Sequence, residues 1–134
     1  MSLIGIGGNL DRPKRRFDKL LLRLQSDPYI DLLQSSPLLI NPDFASEKTP
    51  PFFNGVLLIA TTLSPKRLLR HLHYLEKRYG RVRSTPNAPR TLDLDIIFFE
   101  SKKLYNERLC VPHPHWSERP SVVVPMLWLK GPFW

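Results

Sequence analysis

Apolar residues recur at helical spacing in two stretches of this chain. In the first, Phe17, Leu20, Leu21 and Leu24 fall three or four apart, with Arg15, Arg16, Lys19 and Arg23 mostly on other faces. Asp11 can cap this helix, Pro13 suits its first turn, and Pro28 ends the pattern. In the second, Leu68, Leu69, Leu72, Leu75 and Tyr79 form the stripe, with Ser64 as cap, Pro65 at the first position and Gly80 as a left-handed stop. Both stripes read as core. Apolar runs predict strands over 2–6, 29–36, 54–62 and 91–99. The order strand, helix, strand, strand, helix, strand is that of a ferredoxin-like α+β fold, an antiparallel sheet with helices packed on one side and the other face open to ligands. Two loops containing prolines, 37–51 and 84–89, are long enough to serve as lids or binding loops.

The last predicted strand breaks its own apolar pattern. In Pro89-Arg90-Thr91-Leu92-Asp93-Leu94-Asp95-Ile96, two carboxylates stand two residues apart. Side chains alternate along a strand, so Asp93 and Asp95 leave one face roughly 7 Å apart, while Leu92, Leu94 and Ile96 leave the other. Two anions on one face repel unless a cation neutralises them, and hard carboxylate oxygens suit Mg²⁺ shared with substrate phosphates. The neighbours are basic: Arg81, Arg83 and Arg90 precede the pair, and Arg108 and Arg119 follow it. Guanidinium forks match phosphate oxygens, so the combination points to phosphoryl chemistry. The Gly5-Ile6-Gly7-Gly8-Asn9 run has neither a Walker ending nor G-x-G-x-x-G spacing and reads as a tight turn that backbone approaches closely.

Composition narrows the class. A chain of 134 residues suits a single domain, 1–134, with an adequate core. Its one cysteine, Cys110, excludes an intrachain disulfide and fits a reducing compartment. No apolar run approaches the ~20 residues of a membrane span, and the amino terminus is too short in apolar residues for a signal peptide. These features point to a soluble cytoplasmic protein with no membrane partner. With 20 Lys and Arg against 12 Asp and Glu, a net charge of +8 draws anions of any kind, nucleotide or nucleic acid.

The motifs carry a family resemblance. Gly7-Gly8-Asn9-Leu10, Phe52-Phe53-Asn54, Gly80-Arg81-Val82-Arg83, Pro89-Arg90-Thr91-Leu92-Asp93-Leu94-Asp95 and Arg108-Leu109-Cys110-Val111-Pro112-His113 occur in the order seen in 6-hydroxymethyl-7,8-dihydropterin pyrophosphokinases. The chain resembles that folate-pathway family from end to end. The resemblance implies transfer of pyrophosphate from ATP to the hydroxymethyl oxygen of the dihydropterin, leaving AMP and the pterin diphosphate. It implies two Mg²⁺ held by Asp93 and Asp95, with Arg81 and Arg90 as further catalytic charges. On the ATP side it places His73, Glu76, Arg83, Arg90, Ile96, Arg108, Cys110, His113 and Arg119, with Ile96 against the adenine. On the pterin side it places Gly7, Asn41, Pro42, Phe44, Phe52 and Asn54.

The chain also departs from the family pattern. The second stacking aromatic falls at Ser121, a glutamine is His73, a serine in the glycine turn is Gly8, a threonine is Cys110, and an aromatic after the histidine is Pro114. Phe53, Trp116 or a shifted register is a candidate to replace the missing aromatic face. The loop before Arg90 is shorter and has Asn87-Ala88 where the family has a tryptophan.

Three other readings compete. A basic ferredoxin-like domain is also the shape of an RNA-binding module, but the base-stacking octamer is missing and Asp93 and Asp95 would put negative charge where RNA must lie. A relative that binds nucleotide without turnover would explain Ser121 and the shortened loop. His113 and His115 flank Pro114 as a possible transition-metal pair, without a third ligand nearby. His71 reads as a surface or core-edge residue, and Arg12, Lys14, Arg15 and Arg16 as a solvated basic face. The expected partners are therefore small molecules, ATP and the dihydropterin, acted on by a monomer without nucleic acid.

Overall fold

The computed structural model describes residues 1–9, 12–41, 52–79 and 92–130. The strands are β1 (Ser2–Gly8), β2 (Ile30–Ser35), β3 (Leu39–Asn41), β4 (Phe52–Thr61) and β5 (Leu92–Phe99), with a small hairpin of β6 (Leu104–Tyr105) and β7 (Cys110–Val111). The helices are α1 (Pro13–Gln25), α2 (Pro65–Tyr79) and α3 (Pro120–Met126), the last preceded by a 3-10 turn, Trp116–Glu118. The main sheet runs β2-β4-β1-β5 with antiparallel neighbours, and β3 adds to β4 beyond the end of β2. This is the α+β, ferredoxin-like arrangement that the element order predicts.

Alternation along the strands divides the apolar residues between two faces. Ile4 and Ile6 of β1, Phe53, Leu57 and Ile59 of β4, and Leu92, Leu94 and Ile96 of β5 pack with Phe17, Leu20 and Leu24 of α1 and Leu68, Leu72 and Leu75 of α2. The stripes read from sequence are those that meet the sheet. The Ser64 hydroxyl accepts the Arg67 N–H at 3.3 Å, the expected cap of α2. At α1 the cap position is Arg12, in a left-handed conformation and without a side-chain cap; Asp11 lies outside the described residues.

The opposite face carries a second, smaller core. Leu3, Val56, Leu58 and Ile97 are covered there by Val122 and Met126 of α3, with Trp116 standing edge-on to Phe98 at 4.7 Å. The chain after α3 is tied to β2, because the Gln34 amide exchanges two 2.7 Å hydrogen bonds with the Lys130 main chain. Besides the two expected helices, then, a third covers half of the face expected to be open. Among the described residues, the half left bare is the Gly7 end of β1.

Beneath the helices, the buried Asp27 carboxylate fastens the end of α1 to α2. It accepts the Tyr29 N–H at 2.8 Å and meets His71 Nε2 at 2.8 Å. His71 is therefore a core-edge residue with a specific partner. Among the described residues, no helix is long and apolar enough to cross a membrane.

Candidate active site

Strand register brings the candidate residues together. Gly7 of β1 pairs with Asn54 of β4 on one side and with Asp93 of β5 on the other, so the three form one row across the bare half of the sheet. In the next row, Gly5 lies between Val56 and Asp95. The glycines leave a trough between the flanking side chains. A Cβ on Gly7 would sit 3.0 Å from Asn54 Oδ1, and one on Gly5 would meet Ile97 Cδ1 at 3.2 Å. Asn41 of β3 pairs with Phe52, which places both strands' residues at the end of the same row system.

Phe52 and Phe53 are separated by strand alternation. Phe52 shares the Asn54 face and is 40 % exposed, whereas Phe53 is 1 % exposed in the core beneath the helices. Phe53 therefore cannot supply the missing aromatic face expected of it. Trp116 is occupied in packing on Phe98. Ser121 is exposed near the start of α3.

The carboxylates form a graded set. Asp93 and Asp95 are both exposed on the bare face. Exposed as the residue is, partial desolvation of its carboxyl first, and the Asp95 charge second, hold Asp93 above its ordinary value. Glu76 reaches β5 from α2, where its Oε2 accepts the Leu94 N–H at 3.1 Å on the outer edge of the sheet. Burial foremost, with Asp93 and Asp95 adding to it, raises the Glu76 carboxyl, against the lowering effects of the Leu94 hydrogen bond and His73. Glu76 thus approaches the strand from α2, while Asp93 and Asp95 form the acidic pair on the opposite face. Hard oxygen donors that repel one another suit a divalent cation such as Mg²⁺.

The nucleotide candidates fall into distinct places. His73, with Nε2 3.9 Å from Glu76 Oε1, and Arg108 line one groove of about 800 Å³ between α2 and the β6–β7 hairpin. Leu69 and Arg70 of α2 and Leu109 of the hairpin line it too. Apart from the general stripe that includes Leu69, sequence reasoning missed these, although the three- and four-residue spacing from His73 is a signal for one helical face. The Cys110 thiol is directed to the Asn106 carbonyl at 3.7 Å. His113 donates its main-chain N–H to the Ile97 carbonyl at 2.8 Å, which seats it beside the end of β5. Arg119 is exposed at the cap of α3.

Ile96 departs from expectation. Its side chain is 2 % exposed among the core residues on the helix side, opposite Asp93 and Asp95. A base beside this residue would therefore meet its main chain at the sheet edge and not its side chain. The histidine pair also resolves differently. His113 Nδ1 is engaged with the Pro114 carbonyl at 2.9 Å and His115 Nδ1 with Glu118 Oε2 at 3.1 Å. No group of three or more His, Cys, Asp or Glu arranged for a metal occurs among the described residues. Arg81, Arg83, Arg90, Pro42 and Phe44 lie outside the described residues, and the side chain of Asn41 is likewise not described.

Comparison with known proteins decides the family. Residues 3–131 match the family described as 7,8-dihydro-6-hydroxymethylpterin-pyrophosphokinase. The chain belongs to this pyrophosphokinase family. Among curated relatives, the 2-amino-4-hydroxy-6-hydroxymethyldihydropteridine pyrophosphokinase of Campylobacter jejuni is 42% identical over 127 residues, covering 94% of this chain and 80% of that protein. The enzyme of the same name from Helicobacter pylori is 40% identical, covering 92% and 77%. That from Pseudomonas aeruginosa is 37% identical, covering 92% and 76%. For a pyrophosphokinase, this half of the sheet is the informative region, since it sets an amide, an exposed aromatic ring and paired carboxylates side by side.

Proposed function

We propose that this chain transfers the pyrophosphoryl group of ATP to the hydroxymethyl oxygen of 6-hydroxymethyl-7,8-dihydropterin, releasing AMP and the pterin diphosphate in folate biosynthesis. Family membership supports the reaction class. The observation that carries the assignment of the site is the Asn54–Gly7–Asp93 row, which sets a ring-reading amide about two strand spacings, roughly 10 Å, from a metal-binding carboxylate.

In this reading the pterin lies in the glycine trough. The Asn54 amide both donates and accepts, which complements the amide-like edge of the ring, and Phe52 offers a flat apolar face. Gly7 keeps the floor flat. The acceptor hydroxyl then points toward β5, where its attack on the β-phosphorus forms the new O–P bond and breaks the bond to the α-phosphate oxygen, which leaves with AMP. Asp93 and Asp95 would hold two Mg²⁺, which when bound supply charge neutralisation and lower the pKa of the acceptor hydroxyl. Glu76 braces the strand that holds both aspartates. Arg81, Arg83, Arg90, Arg108, Arg119 and His113 are assigned to the phosphates and nucleotide by resemblance, and His73, Cys110 and the Ile96 main chain to the rest of the ATP side. A single domain acting as a cytoplasmic monomer on small molecules suffices for this chemistry.

The deciding experiment is AMP release from ATP with the dihydropterin and Mg²⁺, run beside Asp95→Ala. AMP formed only with pterin, and lost both in the variant and in EDTA, is the expected result. A folded, ATP-binding protein that releases no AMP would overturn the reading in favour of a nucleotide-binding relative without turnover.

A further inference from the structure

We infer that the two long helices form a second anion site, separate from the pterin and ATP site, which takes a small polyphosphate. Arg15, Arg16 and Lys19 are spaced by one, three and four residues and lie on one side of α1, and Arg12 joins them from the cap position. The last turn of α2 faces them with Arg78 and Tyr79, and together these residues line a cavity of about 400 Å³. Five cations thus converge on one concavity, and no carboxylate is among the described residues lining it.

A solvated basic face would account for positive charge alone, but not for its arrangement. Charges on a convex surface spread apart into water, whereas these are contributed by two elements to a shared hollow. Among the described residues, no ion pair engages Arg12, Arg15, Lys19 or Arg78. The first turn of α1 contains no acidic residue, so its basic side chains oppose both the helix dipole and one another. An anion in the hollow relieves each of these repulsions.

The ligand class follows from charge and size. A single phosphate carries about two charges at neutral pH, fewer than the four cations Arg12, Arg15, Lys19 and Arg78. A cavity of this volume lies at the small end of ligand pockets, about 300–1,000 Å³. A run of two or three phosphates fits both limits, and guanidinium forks bind such oxygens in pairs. Free inorganic polyphosphate and the tail of a nucleoside triphosphate share this chemistry. The site lies on the helix side of the sheet, whereas Asp93 and Asp95 are on the other face.

The test is titration of inorganic tripolyphosphate into the full chain in EDTA, followed residue by residue through amide chemical shifts. Saturable shifts at 12–19 and 78–79 are expected. Arg15→Ala combined with Lys19→Ala should weaken them at least tenfold while leaving AMP formation unchanged; Arg108→Ala should leave them in place. The unliganded double variant should melt no lower than the parent, which separates lost binding from lost folding. Equal affinity for ATP would identify free polyphosphate as sufficient, and a tenfold preference for ATP would identify a nucleotide. Shifts confined to β5, shifts unaltered in the double variant, or stronger occupancy by an RNA oligonucleotide than by tripolyphosphate would each overturn the proposal.

Discussion

The Glu76 carboxylate accepts the Leu94 main-chain N–H at 3.1 Å and so pins α2 to the strand that bears Asp93 and Asp95. Leu94 lies between the two aspartates, which makes this hydrogen bond a brace on their spacing. Glu76→Gln keeps an acceptor at that position and should preserve the fold. Glu76→Ala removes it and leaves an edge N–H without its partner, at a cost of about 1–3 kcal/mol. Urea denaturation of both variants measures the difference. An alanine variant as stable as the glutamine one would show that the brace carries no energy.

Asp93 gives a pH signature. Its folded carboxyl binds a proton more tightly than the ordinary value of 3.8, owing first to burial and then to Asp95. A raised folded pKa means that the associated stability is fully present below pH 3.8 and is lost as pH rises through the raised value. Asp93→Asn escapes that loss. In EDTA the variant should therefore be more stable than the parent at pH 7, with the gap closing as pH falls toward 3.8. Urea midpoints at several pH values read this directly, and Mg²⁺ should raise the parent's midpoint while leaving the variant's nearly unchanged.

Gly7→Ala probes the trough. The added Cβ would press on Asn54 Oδ1 at 3.0 Å, the end of a side chain that can turn aside, so the fold should persist. The displaced amide should raise KM for the dihydropterin by about tenfold, since small misplacements of positioning groups are costly. Steady-state kinetics with each substrate varied in turn would show it. An equal rise in KM for ATP would contradict the assignment of Asn54 to the pterin.

The adjacent phenylalanines make a matched pair. Phe53→Ala should cost about 3–5 kcal/mol, the usual penalty for emptying a buried aromatic site. Phe52→Ala should alter stability far less and raise the KM for pterin instead. Thermal melts and kinetics on the two variants form a cross-check, and a reversal of the two effects would mean that the register of β4 is misassigned.

Much of this fold could be read from the chain because long elements declare themselves. The α1 and α2 stripes span several turns, β5 alternates around its two aspartates, and β1 and β4 are apolar runs bounded by turn residues. The parts that stayed hidden are short or chemically contrary. β3 is three residues long, inside what reads as a proline-containing loop, and β6 and β7 have two residues each, too few for any period. α3 is a run of β-branched residues with Pro125 inside it, a sequence with poor intrinsic helix preference that is held by packing on Leu3, Val56 and Leu58. At the site, the Asp93 and Asp95 spacing announced a shared face directly. The resemblance named Glu76, but its hydrogen bond to Leu94 depends on how α2 crosses the sheet, which no local pattern contains. Ile96 shows the converse: motif position linked it to adenine, while strand alternation turns its side chain into the core.

The glycines of β1 have a consequence for inhibition. At Gly7 the chain presents peptide backbone where other strands present side chains, and the space above it is bounded by the Asn54 amide. A flat inhibitor resting there would touch atoms common to every amino acid. Escape by substitution at the floor would have to add bulk there, and in the proposed site the same bulk would weaken the natural substrate as well. Resistance at this position would therefore carry its own metabolic penalty, and a compound that draws most of its affinity from the trough would leave the enzyme few viable ways around it.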